Sequence, residues 1–403
     1  MLQRAHDAET TPVRRPPEFS LVCGGLLFRI CKRAHLSGDG LERLHRRVLA
    51  ITLFAWLPLL ALSVLDSGTG AGAIKIPFLY DIEAHVRFLL ALPLLVVAEV
   101  IVDARISPLI DRFVERRIIR TQDMPKFIDA VTSAMRARDA VAVEVTLLLA
   151  VYTLGLWLWW GAIASDAATW YAWPEGAGFR FSWAGYWYAF VSIPMFQFIL
   201  CRWYLRLLLW FRLLWRISRL DLHLTASHPD RAGGIGFLGN SAYAFSPVLF
   251  AQGVLLAGVI ATRIFYQGQT LPAFELEMVS WIGATVLLIL GPLGMFTPLL
   301  ERTKRKDRGA FGTLASEYVC QFDEKWLRRG PRGTRALLGS SDIQSLADLG
   351  TSYDVVSGMR LVPFGKADVT QLIVAAATPL LPLALTMFSV EELLRRLFTL
   401  FFR

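Results

Sequence analysis

Charge is scarce in this chain. Of its 403 residues only 19% are Asp, Glu, Lys or Arg, against 55% hydrophobic, whereas a soluble domain carries about a quarter charged and at most about half apolar. That deficit excludes a water-soluble globular protein, and a mean hydropathy of +0.46 agrees. Cysteine is equally sparse. Cys23, Cys31, Cys201 and Cys320 form no CxxC pair, and three of them fall in segments expected on the cytoplasmic side, where thiols stay reduced, so they read as unpaired residues. Behind the early arginines Arg4, Arg14 and Arg15 there is no compact apolar region with a small-residue cleavage site. No cleaved signal peptide is expected, and the first span directs its own insertion. Nucleophile elbows, HExxH, P-loops and EF-hand loops are missing at their required spacings. No catalytic residue, metal site or cofactor is therefore expected.

What the sequence has in abundance is long apolar runs. A helix rises 1.5 Å per residue and the hydrocarbon core is about 30 Å thick, so about 20 apolar residues cross it. Seven runs qualify, near 49–66, 85–106, 143–164, 184–209, 245–266, 278–300 and 368–388. They are continuous rather than alternating, and each satisfies its own backbone hydrogen bonds only as a helix. The expected fold is all-α: a polytopic transmembrane helical bundle of about seven spans with cytoplasmic helical elements. Its divisions are a cytoplasmic segment 1–48, spans in 49–106, a helical hairpin 107–142, spans in 143–209, a loop 210–244, spans in 245–300, a helical region 301–367, and a kinked membrane helix with an amphipathic tail 368–403.

The 42 basic residues outnumber the 33 acidic ones, and they sort into alternate loops. Arg33, Arg43, Arg46 and Arg47 precede the first span; Arg105 to Arg138, Arg212 to Arg231 and Lys304 to Arg335 fill the next three basic segments. The intervening loops hold Lys75, then Arg180, then no basic residue from Tyr266 to Glu277. Positive residues are retained in the cytoplasm, so the N-terminus and all basic loops are expected inside. The expected partners are the lipid bilayer and its anionic phospholipid headgroups. The oligomeric state stays open between a monomer and a homo-oligomer, and a charge spread in blocks rather than along one face leaves no nucleic acid partner.

Ionisable residues inside spans cost about 2.5 to 3.5 kcal/mol each at mid-membrane, so they demand partners. Glu99 and Asp103 share one face of the second span at i, i+4, and Arg202 and Arg206 repeat that spacing in the fourth. We expect these four to meet as an inner polar cluster; snorkelling of the arginines to the interface is the alternative. At the outer end Asp81, Glu83 and His85 form an acidic group with Arg263 late in the fifth span. There the aromatic run Trp170, Tyr171, Trp173, Trp183, Tyr186, Trp187 and Tyr188 reads as an interfacial belt.

The most motif-like stretch is Ser227-His228-Pro229-Asp230-Arg231-Ala232-Gly233-Gly234-Ile235-Gly236-Phe237-Leu238-Gly239-Asn240. It satisfies GxGxxG literally, but a dinucleotide site needs a preceding strand and a carboxylate about 20 residues on, and neither is there. His228-Pro229-Asp230 resembles the central tripeptide of a J domain, yet a span follows instead of a soluble helix. Asp221, His223, His228 and Asp230 are chemically able to bind a divalent ion, with nothing fixing their geometry. A structural turn is the first reading. The second is a site for an anion or lipid headgroup, with His228, Asp230, Arg231, Gly233 and Gly234 as ligand candidates on glycine-rich backbone before a helix.

Cytoplasmic helices are expected where Phe311, Leu314, Tyr318, Phe322 and Trp326 form one stripe and where Leu346, Leu349, Tyr353 and Val356 form another. Ser341-Asp342-Ile343-Gln344 has the form of a capping box at the start of the second. The HPDRAGGIGFLG loop, with Ala347-Asp348-Leu349, Tyr353, Met359-Arg360 and Val362-Pro363-Phe364, resembles a family of bacterial multi-pass inner-membrane proteins. The resemblance covers the second half of the chain and implies a bacterial inner-membrane location, without an activity. Channel-like or transporter-like permeation of an ion or small solute is the leading expectation. A non-transporting scaffold or sensor is second, and an enzyme acting on lipid headgroups is third.

Overall fold

The computed structural model describes residues 17–25, 28, 29, 33, 44–66, 77–157, 169–175, 178–328 and 341–387. In chain order its helices are α1 (Leu44–Asp66), α2 (Ile82–Glu115), α3 (Met124–Asp139), α4 (Val141–Gly155), α5 (Trp183–Ile217), α6 (Leu238–Gln267), α7 (Leu271–Arg328), α8 (Ser341–Ser357) and α9 (Lys366–Met387). One antiparallel hairpin, β1 (Ala172–Glu175) with β2 (Gly178–Phe181), interrupts them before α5. Six of the helices, α1, α2, α5, α6, α7 and α9, are long and apolar enough to cross a membrane. The expected run 143–164 coincides with the shorter apolar helix α4, and its residues 158–164 lie outside the described ones. So do Lys75, Cys31, Arg43, Arg332, Arg335 and the tail with Glu391, Glu392, Arg395 and Arg396.

Burial explains why the runs are apolar all round. α2, α5 and α6 form the middle of the bundle, burying Phe88, Leu92, Leu95, Trp203, Trp210, Leu213 and Phe245. α1 covers them with only Ala55, Leu59, Thr52 and Arg47 buried, and leaves Leu49, Leu53, Phe54, Leu57 and Val64 exposed. An apolar surface of that extent is unfavourable in water and ordinary in lipid. α9 docks where α6 presents Gly253: a Cβ there would meet the Ala376 carbonyl at 2.6 Å. Beyond Ala377 the last ten residues of α9, which carry Pro379 and Pro382, tighten into a 3-10 helix. Their Leu380 and Leu383 pack with Ile260 and Phe274.

The loops segregate to two ends. At one end the three basic segments interlock: Ile119 pairs with Leu222, the Asp221 amide donates to Asp123, and the Ala226 amide donates to Asp307. At the other end Trp170 donates to Asp81, the Ala184 amide to Asp66, and the Tyr266 hydroxyl to the Tyr80 carbonyl. α9 runs from the basic end, where Asp368 lies against Gly239, to Phe274 at the opposite end. The kinked C-terminal helix therefore traverses the bundle.

Two expected breaks move. α2 continues to Glu115 rather than stopping at 106, because Pro108 interrupts no more than one turn of an otherwise periodic helix. The chain then reverses through Arg116 and Arg117, the latter at φ 53°. α7 is one helical run of 58 residues, about 85 Å at 1.5 Å per residue. It outruns any bilayer, and its second half pairs with α8 as an arm. The Tyr318 hydroxyl donates to the Asp342 carbonyl and the Trp326 indole to the Asp342 carboxylate, which Lys325 also contacts. The stripe from Phe311 to Trp326 thus faces α8 as its spacing predicts, with Leu314 the exposed exception. Gln344, which a capping box would turn back towards Ser341, reaches forward to Asp348 instead.

Candidate functional site

Five buried charged side chains meet near the basic end of the bundle. Glu99 of α2 accepts from Arg47 of α1 at 2.5 Å and from Arg206 of α5 at 2.7 Å. Arg202, one turn before Arg206, lies 3.9 Å from Glu99 and 3.5 Å from Glu144 of α4. All five are between 4% and 8% exposed. The i, i+4 spacing of Arg202 and Arg206 is what lets one helix face hold two carboxylates from two neighbours. Snorkelling does not occur, because both guanidiniums are paired inside the protein. Arg206 also lies over the Trp203 ring, 4.8 Å from its centre, a placement that adds cation–π attraction.

Asp103 stands apart from this group. One turn beyond Glu99, it accepts from the Ser20 hydroxyl at 2.6 Å and from the Ser107 hydroxyl at 3.3 Å. The segment 17–25 brings Ser20 there, burying Phe19, Leu21 and Val22 and resting Phe19 against Trp210. Arg138 holds the same segment through the Ser20 carbonyl. Gly25, at φ 84°, is required at its position: a Cβ would fall 2.3 Å from the Glu144 carboxylate. Arg47 and Glu144 are therefore the residues that spacing missed. Arg47 sits in a basic run that reads as a topological signal, and Glu144 opens an apolar run without a second polar residue one turn away.

Val22, Phe28, Ile51, Val96 and Ile199 join Arg47, Glu99, Arg202 and Arg206 around a cavity of about 20 Å³. That holds about one water-sized occupant. Among the described residues, Arg47 Nε is buried without an acceptor.

The HPDRAGG loop is built differently from a ligand pocket. The Asp230 carboxylate accepts from the amides of Ala232 at 2.8 Å, Gly234 at 3.1 Å and Gly236 at 2.8 Å. Its Oδ1 also lies 2.9 Å from His228 Nδ1. The glycine-rich backbone is an anion cradle, and the anion in it is the loop's own carboxylate. Burial alone would raise the Asp230 carboxyl, but the three amides and the His228 ring outweigh it and hold the group below its ordinary range. Gly233 and Gly234 take φ values of 68° and 95°, and Arg231 takes 52° with its side chain exposed. Arg360 closes the loop from outside, donating its amide to the Arg231 carbonyl at 2.7 Å and its guanidinium to the Asp230 carbonyl at 2.8 Å. Lys304 adds a bond to the Met359 carbonyl. Motif residues more than a hundred positions apart in sequence thus form one clasp, tying the loop before α6 to α7 and to the turn after α8. Asp221 pairs with Arg120 instead of joining His228. Among the described residues no three His, Cys, Asp or Glu side chains gather as metal ligands would.

At the opposite end the acidic group is divided between roles. Asp81 caps the start of α2 through the Ala84 amide and accepts from the Trp170 indole. Glu83 pairs with Arg87, whose guanidinium donates to the Tyr188 hydroxyl at 2.6 Å. Arg263 pairs with Glu277. The aromatic run divides as well. Trp170, Tyr171 and Tyr188 pack against one another, with Phe78 and His85 beside them. Trp183 and Tyr186 are exposed, as belt residues are.

No family model, curated protein or solved structure matches this chain.

Proposed function

We propose that this chain is a channel-like or transporter-like permeation protein of a bacterial inner membrane, moving an ion or small solute along the polar seam between α1, α2, α4 and α5. What supports the reading is the cluster of Arg47, Glu99, Glu144, Arg202 and Arg206. Five charges buried among apolar helices are costly to assemble, and intramembrane ionisable groups of this kind ordinarily mark a solute or ion path. Apolar residues of similar volume would hold the same helices together at equal or lower cost. In the arrangement described, the seam is shut by the Glu99 pairs with Arg47 and Arg206. Passage requires those guanidiniums to exchange partners. The inner-membrane location, with the basic end in the cytoplasm, belongs to this proposal and rests on the alternation of basic loops and on the resemblance of the HPDRAGG and Met359-Arg360 segments.

A second reading has its own observation. The arm made by the distal half of α7 with α8 buries nothing between Glu301 and Arg328, and Leu314, Val319, Leu327 and Ile343 are exposed on it. A scaffold or sensor that docks a cytoplasmic protein would use such an arm.

Purified protein reconstituted in liposomes and assayed with a panel of monovalent ions discriminates the two. Permeation predicts flux above empty vesicles, changed at least several-fold by Arg202→Gln in protein that elutes as a single folded species. Vesicles that stay silent across the panel overturn permeation of monovalent ions and favour the arm as the functional element.

A further inference from the structure

At the basic end of the bundle a groove opens between the first turns of α6 and those of α9. It measures about 470 Å³ and is lined by Tyr243, Ala367, Thr370, Gln371, Val374 and Ala375. Its character changes along α9. Thr370 and Gln371 are polar and exposed, whereas Val374 and Ala375, one turn deeper, are apolar. Two cations flank the polar end. Arg105 of α2 is exposed and lies over the Tyr243 ring, 4.6 Å from its centre; a guanidinium held by its face keeps its N–H edge available to an anion. Lys366 is exposed one turn before Thr370, on the same face of α9, and its carbonyl accepts from the Thr370 hydroxyl. Neither cation forms an ion pair among the described residues. The carboxylate in the first turn of α9, Asp368, is turned to the Gly365 amide and lies against Gly239.

We propose that this groove holds one anionic phospholipid, with its phosphate between Arg105 and Lys366, its headgroup beside Thr370 and Gln371, and one acyl chain along Val374 and Ala375. Basic recesses between membrane helices are an ordinary seat for anionic headgroups. The order of the residues selects the occupant. A soluble anion would leave Val374 and Ala375 uncovered, and the ammonium of a zwitterionic headgroup would meet two cations and no carboxylate among the lining residues. The polar end coincides with the start of α9 and the apolar end lies deeper in the bundle, which is the sequence of headgroup and hydrocarbon in one leaflet. The inference rests on the bundle lying in a bilayer and not on permeation, so flux plays no part in its test.

The test is native mass spectrometry of the purified full chain in detergent, titrated with phosphatidylglycerol and, separately, with phosphatidylcholine. One phosphatidylglycerol per chain should be retained about tenfold more tightly than phosphatidylcholine, and an excess of inorganic phosphate should not displace it. Arg105→Gln combined with Lys366→Gln should weaken its binding about thirtyfold, which corresponds to about 1 kcal/mol for each basic residue at headgroup level. Thr370→Trp fills the groove without altering a charge and should abolish the preference for phosphatidylglycerol while the protein remains monodisperse. Arg302→Gln combined with Lys306→Gln removes two exposed charges from α7 at the same end and should leave binding unchanged. Equal retention of the two lipids overturns the proposal, and so does displacement by inorganic phosphate. An unchanged preference in Thr370→Trp overturns it as well. A loss in the α7 pair as large as in the Arg105 and Lys366 pair would assign the attraction to the whole basic end and refute a site in the groove.

Discussion

Glu99→Ala is expected to destabilise the protein by about 3–5 kcal/mol, the cost of leaving a buried ion pair without one partner. The change strands Arg47 and Arg206 together, both buried and both previously bonded to the same carboxylate. Denaturant unfolding in detergent, followed by the fluorescence of buried Trp203 and Trp210, reads the loss. The double variant Glu99→Ala with Arg206→Met should be less damaged than the two single changes added together, by about 0.5–3 kcal/mol, since neighbours in one network couple. A cost under about 1 kcal/mol for Glu99→Ala, or strict additivity in the double variant, would mean that these side chains are not bonded in the folded protein.

Asp230→Ala should cost about 2–4 kcal/mol. It leaves the amides of Ala232, Gly234 and Gly236 without their acceptor, each worth about 1–3 kcal/mol when buried. The His228 ring and the partial exposure of the carboxylate moderate the sum. The Asp230 carboxyl is depressed below its ordinary value of 3.8 in the folded chain. Its contribution is therefore fully present above that value and fades as pH falls through the lowered one. In the unaltered protein, stability should fall more steeply below about pH 4 than in Asp230→Ala. Parallel acid profiles of the two proteins would remove Asp230 from its place as the anion in the glycine cradle. The same substitution should leave ion flux intact, since the clasp lies outside the polar seam.

Much of this architecture was legible from hydropathy alone because a membrane helix must be apolar and about 20 residues long, whatever it packs against. That constraint marks α1, α2, α5, α6 and α9. It says nothing about where a helix ends once it leaves lipid, so the helices expected in 107–142 and along the Phe311–Trp326 stripe were marked by their periodicity, but not their unbroken continuity with the spans of α2 and α7. Glu99, Arg202 and Arg206 were recognisable because a charge in an apolar run is conspicuous and because i, i+4 spacing aligns charges on one face. Asp103 obeys the same spacing but turns to Ser20, since the segment 17–25 occupies its side of the helix. No periodicity announces that segment; its few apolar residues pack individually. Arg47 and Glu144 stand at the margins of apolar runs, where a charge is the ordinary thing to find, and only their neighbours in space reveal them. The HPDRAGG loop illustrates the converse case. Its glycines signal an anion cradle correctly, but which anion fills it depends on a carboxylate three to four residues away and on Arg360, brought in from the far side of α8.

Permeation along the polar seam requires a bundle with its basic end and its aromatic end on opposite faces of a bilayer. Single cysteines at Gln269 and Leu314, both exposed, examine this when placed in a chain freed of Cys23, Cys31, Cys201 and Cys320. Treated with a membrane-impermeant maleimide in intact bacterial spheroplasts, Gln269→Cys should be labelled at once and Leu314→Cys only after lysis. Equal labelling of both from the same side would contradict a membrane-crossing bundle and, with it, the polar seam as a path.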